Sequence, residues 1–100
     1  MRTIEINAKN FNSLIGFYDE VEKFLFKGEC PWGRNLDSLN EIVLNSFNYT
    51  GNPEDDVSKI IWIDFEKSKT EIQDKRGEQL VIDILEEIFT MNKSITFEKK

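Results

Sequence analysis

The stretch Lys59-Ile60-Ile61-Trp62-Ile63-Asp64 decides the fold, because it contains four consecutive apolar residues, three of them β-branched. β-branched and aromatic residues are typical of strands, and an uninterrupted apolar run of this length indicates a strand buried on both faces. Strands covered on both faces belong to parallel sheets. We therefore predict a parallel sheet with this stretch as its central strand and with Trp62 in the core.

Strands and helices alternate along the rest of the chain. Residues 3–7 and 94–98 alternate apolar and polar side chains, which predicts two half-buried strands. The spacing of apolar residues predicts helices at residues 14–26, 36–48, 65–74 and 78–91. This order is typical of an α/β domain, here with a small three-stranded parallel sheet of strand order 1-2-3 and four helices. Right-handed crossovers would place the helices on one side of that sheet.

Length and composition limit the class of protein. The 100 residues, of which 39% are hydrophobic, fit a single domain over residues 1–100 with one core. The formal net charge of -6 disfavours direct binding to nucleic acid, and it favours either a basic partner or simple solubility. The single cysteine, the absence of a signal-peptide pattern and the absence of a long apolar run predict a cytoplasmic protein without a membrane span.

Metal and catalytic chemistry have few candidates in this sequence. There is no histidine, which removes the commonest general acid/base and the commonest transition-metal ligand. Cys30 has neither a histidine nor a second thiol to activate it, so we interpret it as structural. The acidic run Glu54-Asp55-Asp56 lacks the spacing of a calcium loop and is interpreted as a solvated loop. We expect no metal and no cofactor.

A second informative stretch runs from a Pro-Trp-Gly turn at residues 31–33 into an amphipathic helix. Asn35 is predicted as the N-cap, because its side-chain oxygen can accept from a free N–H group of the first turn. Asp37 and Glu41 are four residues apart, so their carboxylates lie side by side and destabilise the helix by roughly 0.2–0.5 kcal/mol. A functional role would explain the pair. Alternatively, both are ordinary solvated charges, and Asp37 also suits the helix dipole.

The run Trp32-Gly33-Arg34-Asn35-Leu36-Asp37-Ser38-Leu39-Asn40-Glu41 resembles the signature of the barstar family, small intracellular inhibitors of secreted bacterial ribonucleases. That signature is an aromatic residue, Gly, any residue, Asn-Leu-Asp, a small residue and Leu, followed by an acidic position. The resemblance implies a barstar-like fold with the element order predicted above. It also implies a protein that catalyses nothing, is monomeric when free, and blocks the active site of a basic extracellular-type ribonuclease or toxin nuclease.

The resemblance implies roles for individual residues. Asp37 and Glu41 match acidic positions whose carboxylates meet the cations of the nuclease in place of substrate phosphate. Matching the glycine at position 77 to the one before the family's last helix puts Glu87 on a third acidic contact. Trp32 matches a loop aromatic that packs on the nuclease, or else covers the core edge; Gly33 allows close approach of a partner, or else serves a positive-φ turn. The partner-binding candidates are Trp32, Gly33, Arg34, Asn35, Asp37, Asn40, Glu41 and Glu87.

Several positions depart from the family pattern. Pro31 replaces an aromatic residue, Arg34 adds a positive charge, and Asn40 replaces a bulky Trp. Glu41 is one methylene longer than the Asp of the best-known member, and Met91 stands where a further acidic contact is expected. These differences favour an alternative function, a protein–protein interaction domain of the same fold with a non-nuclease partner. A third hypothesis, a small hydrolase using the two helix carboxylates as acid and base, is disfavoured by the missing histidine.

Overall fold

The computed structural model describes residues 2–24, 33–48 and 51–100 of the chain. This part contains the strands β1 (Arg2–Asn7), β2 (Val57–Ile63), β3 (Lys75–Arg76), β4 (Gln79–Leu80) and β5 (Thr96–Lys99). Its helices are α1 (Leu14–Glu22), α2 (Leu36–Leu44), α3 (Phe65–Glu71) and α4 (Val81–Met91). Short 3₁₀ turns follow β1 (Ala8–Asn10) and precede β2 (Pro53–Asp55).

Three parallel strands form the main sheet. β2 lies between β1 and β5 and pairs with both of them in parallel. The α/β class, the three-stranded parallel sheet and the four helices are therefore confirmed. The predicted set of strands omitted β3 and β4, which form a separate antiparallel hairpin. The order of the main sheet is therefore β1-β2-β5.

The two faces of this sheet are buried to different extents. Ile60 and Trp62 of β2 have no exposed surface, whereas Ile61 between them is only partly buried. The prediction of burial on both faces is therefore wrong. Glu5 of β1 and Glu98 of β5 lie in register with Ile61, and charged side chains of this kind belong on a hydrated face.

Trp62 lies at the centre of the core, as predicted. Its ring stacks on Phe17 of α1 with 5.0 Å between the ring centroids, and its Nε1 donates to Ser68 Oγ of α3 at 3.0 Å. Leu39 of α2 and Leu85 of α4 are fully buried in the same core. All four helices therefore contribute side chains to one hydrophobic core, which fixes the helices relative to one another.

All four helices are shorter than predicted, and α3 ends at Glu71 instead of residue 74. The new limits of α2 and α4 have identifiable causes. α2 ends at Leu44, because Ser46 and Phe47 have φ values of 54° and 56°, in the left-handed region. Phe47 is nevertheless 1% exposed and enters the core from a turn. α4 begins at Val81, because Gly77, with a φ of 66°, forms the turn between β3 and β4.

The predicted end of α1 can be checked only in part, because some of the residues concerned lie outside the described ranges. The helix ends at Glu22, followed by a turn at residues 23–24. Its predicted closing residue, Gly28, lies outside the described residues. α3 keeps its predicted anchors, since Phe65 and Ile72 are both buried.

A buried carboxylate joins β1 to α1. Glu20 is 3% exposed and accepts hydrogen bonds from the backbone N–H of Asn7 (3.3 Å), Nδ2 of Asn10 (2.8 Å) and Nζ of Lys23 (2.9 Å). Burial disfavours the ionised form, but the three hydrogen bonds outweigh burial and lower the pKa of this carboxyl. Glu20 is therefore a structural charge.

Candidate partner-binding site

The N-terminus of α2 is held by the predicted cap. Asn35 has extended backbone angles, and its Oδ1 accepts from the backbone N–H of Ser38 at 2.8 Å. This confirms Asn35 as the N-cap. Its Nδ2 donates to the carbonyl of Gly33 at 3.3 Å, so the side chain also fixes the turn before the helix. Asp37 consequently has a defined position in the first turn of α2.

Gly33 is required by close packing. A Cβ at this position would lie 2.6 Å from Ser38 Oγ and 2.8 Å from Asn35 Nδ2. The next residue, Arg34, has a left-handed backbone, with a φ of 53°. The interpretation of Gly33 as a positive-φ residue of the turn stays a prediction. Its suggested role in the approach of a partner also stays a prediction.

The charge of Arg34 is directed towards α1. The guanidinium forms ion pairs with Asp19 and, at 3.4 Å, with Glu22. The hydrogen bond to Asp19 is the main reason why the pKa of Arg34 is raised. Within the described chain Arg34 forms no ion pair with Asp37 or Glu41. The positive charge that this position adds to the motif is thus balanced by α1.

A cleft between α2, β3 and α4 brings together two of the three predicted carboxylates. It has a volume of about 230 Å³ and is lined by Leu36, Asp37, Asn40, Arg76, Ile84, Glu87, Ile88 and Met91. At the C-terminal ends of the two helices, Nδ2 of Asn92 donates to the carbonyl of Val43 at 2.8 Å and ties α4 to α2. The fold therefore places Asp37 and Glu87, which are distant in the sequence, on the walls of one cleft.

The three carboxylates have different surroundings. Oε1 of Glu87 accepts from Nε2 of Gln79 at 3.1 Å, which restrains that side chain. Asp37 and Glu41 are both exposed, and neither forms an ion pair with any other described residue. Glu41 lies one turn beyond Asp37 and does not line the cleft. Within the described residues the two α2 carboxylates are thus not held in ion pairs.

A second cavity shares a wall with the cleft. Its volume is about 340 Å³, and it is lined by Leu14, Tyr18, Arg34, Asn35, Leu36, Asp37, Lys75, Arg76 and Val81. Leu36, Asp37 and Arg76 line both cavities. Burial, with a smaller contribution from the negative charge of Asp74, raises the pKa of the Tyr18 hydroxyl. Tyr18 therefore remains neutral at physiological pH and adds no charge to this surface.

Sequence reasoning missed Arg76. Arg76 immediately precedes Gly77, and Gly77 is the residue used to match Glu87 to the family pattern. Its position next to Gly77 was the one sequence feature that could have indicated that Arg76 lies near Glu87. Asn40, by contrast, was predicted and lines the cleft. Trp32, the predicted apolar contact, lies outside the described residues, and so does Cys30.

Comparisons with known proteins identify no family. No protein-family model matches the chain, and no curated protein sequence matches it. Within residues 2–24, 33–48 and 51–100 no group of three or more His, Cys, Asp or Glu side chains is placed to hold a metal ion. None of the described helices is both long enough and apolar enough to cross a bilayer. Function therefore has to be inferred from the geometry and charge of the surface that carries Asp37 and Glu41, which we call the α2 surface.

Proposed function

We propose that the protein is a barstar-like immunity protein, a cytoplasmic inhibitor of a basic ribonuclease or toxin nuclease in a bacterial cell. It binds the nuclease as a monomer and inserts α2 and the preceding loop into the active site. It binds no nucleic acid itself and catalyses no reaction. One observation carries the proposal: Asp37 and Glu87 line one cleft, while Asp37 and Glu41 form no ion pair with any other described residue.

The charge arrangement supports this mechanism. A nuclease active site concentrates cations to bind phosphate, and carboxylates that reach those cations form charge-assisted hydrogen bonds, about twice as strong as neutral ones. The inhibitor carries a net charge of -6, which attracts a basic enzyme and raises the rate of association. The adjacent like charges of Asp37 and Glu41 are tolerated because the cations of the partner neutralise them in the complex.

Titration against nucleases tests the proposal. The purified protein is added to the ribonucleases and toxin nucleases of the producing organism, and RNA cleavage is followed by fluorescence. We expect stoichiometric inhibition of at least one enzyme. Glu41→Ala and Asp37→Ala should each weaken binding by about 2 kcal/mol or more, roughly 30-fold in Kd. Glu5→Ala is the matched control, because it removes one exposed carboxylate from the sheet.

Two results would contradict the inhibitor function. One is the absence of inhibition of any nuclease of that organism. The other is inhibition that Glu41→Ala and Glu5→Ala reduce equally, since overall charge would then explain the effect without the α2 surface. Salt provides an independent check, because the association rate of a steered complex falls steeply as ionic strength rises.

A protein–protein interaction domain with a non-nuclease partner is the second candidate. Arg76 favours it, because this arginine places a positive charge in the cleft that Asp37 and Glu87 also line. A surface intended only for a cluster of cations gains nothing from such a residue. A toxin or secreted-nuclease gene beside this gene would favour inhibition, and its absence together with a negative titration would favour the second candidate.

A further inference from the structure

Arg34 connects the start of α2 to α1. Its guanidinium forms ion pairs with Asp19 and, at 3.4 Å, with Glu22. These two carboxylates are three residues apart, so they lie on the same face of α1. The guanidinium is planar and carries several N–H donors in a fixed arrangement, which suits it to two acceptors at once. One arginine therefore bridges two acidic side chains of α1.

The same arginine lies close to the proposed anchor Asp37. Asn35, which caps α2, is the next residue, and Asp37 follows in the first turn of the helix. Arg34 and Asp37 both line the second cavity, and Asp37 is the one carboxylate among the described residues that line it. Within the described chain, Arg34 nevertheless forms no ion pair with Asp37. The guanidinium is directed to α1 although a carboxylate lines the same cavity.

The ion pairs with α1 decide where this guanidinium lies. The Arg34 side chain is 33% exposed, and those of Asp19 and Glu22 are 61% and 55% exposed. Packing alone therefore does not hold these charged groups in place. If both α1 carboxylates were neutral, the negative charge on the cavity wall would be that of Asp37. An ion pair between Arg34 and Asp37 would then compete with any cation that a partner brings to this carboxylate.

We propose that Asp19 and Glu22 are positioning residues for the α2 surface: by pairing with Arg34 they keep its guanidinium away from Asp37. Asp37 is then available to a cation of the protein partner. This inference rests on the proposed function, because the availability of Asp37 matters when a cationic partner docks on the α2 surface. It adds two residues of α1, which act through Arg34, to the determinants of binding.

An NMR measurement on the isolated protein tests where the guanidinium lies. The Nε–Hε resonance of Arg34 is followed in isotope-labelled protein and is assigned by its loss in Arg34→Gln. In the wild type this resonance should shift with Asp19→Asn and stay in place with Asp37→Asn. In the double variant Asp19→Asn/Glu22→Gln it should shift when Asp37→Asn is added. Glu41→Gln is the matched control and should cause no shift, because Glu41 lies on the same helix but does not line the second cavity.

The consequence for binding is measured with a nuclease that the protein inhibits. Asp19→Asn/Glu22→Gln should raise Kd about threefold, the range expected for one competing exposed ion pair. Adding Arg34→Gln should recover most of that loss, and the recovery should exceed the effect of Arg34→Gln in the wild type. Glu5→Gln/Glu54→Gln is the charge-matched control, because it removes two exposed carboxylates outside α1 and α2. In that background Arg34→Gln should have only its wild-type effect. Retained dispersion of the amide spectrum shows that the variants are folded.

Three outcomes would overturn the inference. A resonance of Arg34 that shifts with Asp37→Asn already in the wild type would show that α1 does not hold the guanidinium away. A resonance that does not respond to Asp37→Asn in the double variant would show that Asp37 is not the competing partner. Equal effects of Arg34→Gln in the double variant and in the charge-matched control would reduce the role of Asp19 and Glu22 to overall charge.

The nuclease titration fails independently of this test. If no nuclease is inhibited, the proposed function is wrong, and the NMR measurement still decides whether α1 keeps Arg34 from Asp37. If a nuclease is inhibited but the Arg34 resonance behaves in one of the contradicting ways, the inhibitor function stands and the positioning role of Asp19 and Glu22 is wrong.

Discussion

Replacing Glu20 by glutamine should reduce stability in a way that depends on pH. This carboxylate is 3% exposed and joins three donors, from β1, from the 3₁₀ turn after β1 and from the turn after α1. Glutamine has nearly the same shape, so the substitution changes charge and hydrogen-bonding capacity without leaving a cavity. Whatever stability is lost therefore reports on the hydrogen bonds themselves.

The size of the effect follows from the three contacts. Oε2 accepts from the Asn7 N–H and from Asn10 Nδ2, while Oε1 accepts from Lys23 Nζ. The single amide oxygen of Gln can serve one of these two sides, and its NH₂ group then faces a donor. Hydrogen bonds to a charged group are worth about 1.5–3 kcal/mol each. Since the exposed Lys23 can turn to water, we expect a net loss of about 2 kcal/mol at neutral pH.

The pH dependence has a definite sign. The hydrogen bonds lower the pKa of the Glu20 carboxyl from its ordinary value of 4.5. The stabilisation is thus fully present at pH values above the unfolded pKa and is lost as pH falls through the folded pKa. Urea denaturation of the wild type and of Glu20→Gln should show a constant difference in unfolding free energy around neutrality. That difference should shrink as the solution is acidified below pH 4.5.

The control for this experiment is Glu78→Gln, which removes an exposed carboxylate from the turn between β3 and β4. It should change the unfolding free energy by less than about 0.5 kcal/mol. If Glu20→Gln costs no more than this control, or if its cost is the same at acidic and neutral pH, the assignment of Glu20 as a stabilising buried charge is wrong.

Two further substitutions test backbone positions. Gly33→Ala should destabilise the protein by about 1 kcal/mol, because the new Cβ displaces the cap of α2. In urea denaturation, combining it with Ser38→Ala should restore part of the lost unfolding free energy. If the losses of the two single variants simply add up in the double variant, the clash with Ser38 is contradicted. Ser46→Gly should stabilise by about 0.5 kcal/mol, because Ser46 has a φ of 54° and the relief of about 1–2 kcal/mol exceeds the entropy cost of glycine. Ser94→Gly, in an exposed turn, is the control, and it should not raise the thermal midpoint.

Much of the fold follows from local sequence patterns. The apolar run of β2 predicted a strand because β-branched residues favour strands, and the alternation of β1 predicted one because side chains on a half-buried strand alternate between two faces. The spacing in α4 predicted a helix because its buried residues, such as Ile82 and Leu85, recur on one face. These patterns are short-range, so each one predicts its own strand or helix independently of the neighbouring elements.

The failures have long-range or conformational causes. Phe47 continues the spacing of α2, and spacing alone cannot show that it reaches the core from a left-handed turn. The strands β3 and β4 have two residues each, which is too short to produce a periodic pattern. Exposure of Ile61 depends on which layers cover the sheet, a property of the whole domain.

In the candidate site, too, some features follow from local sequence patterns and others depend on the fold. The proximity of Asp37 and Glu41 follows from helical spacing, and the N-cap at Asn35 follows from residue type. Glu87 could be connected to them only through the family resemblance, because no local pattern relates α2 to α4. Arg76 required the fold itself, since the hairpin carries it to the cleft.

The charges of this protein fall into two separate groups, and this separation makes the proposed function testable. Glu20 and Arg34 are satisfied internally, by Asn7, Asn10 and Lys23 in one case and by α1 in the other. Asp37 and Glu41 make no such contacts in the described chain, and as like charges one turn apart they oppose helix formation. Removing Glu41 therefore should not weaken the fold, whereas Asp37 also stabilises the N-terminus of α2. A loss of nuclease inhibition in Glu41→Ala would thus report on binding and not on unfolding.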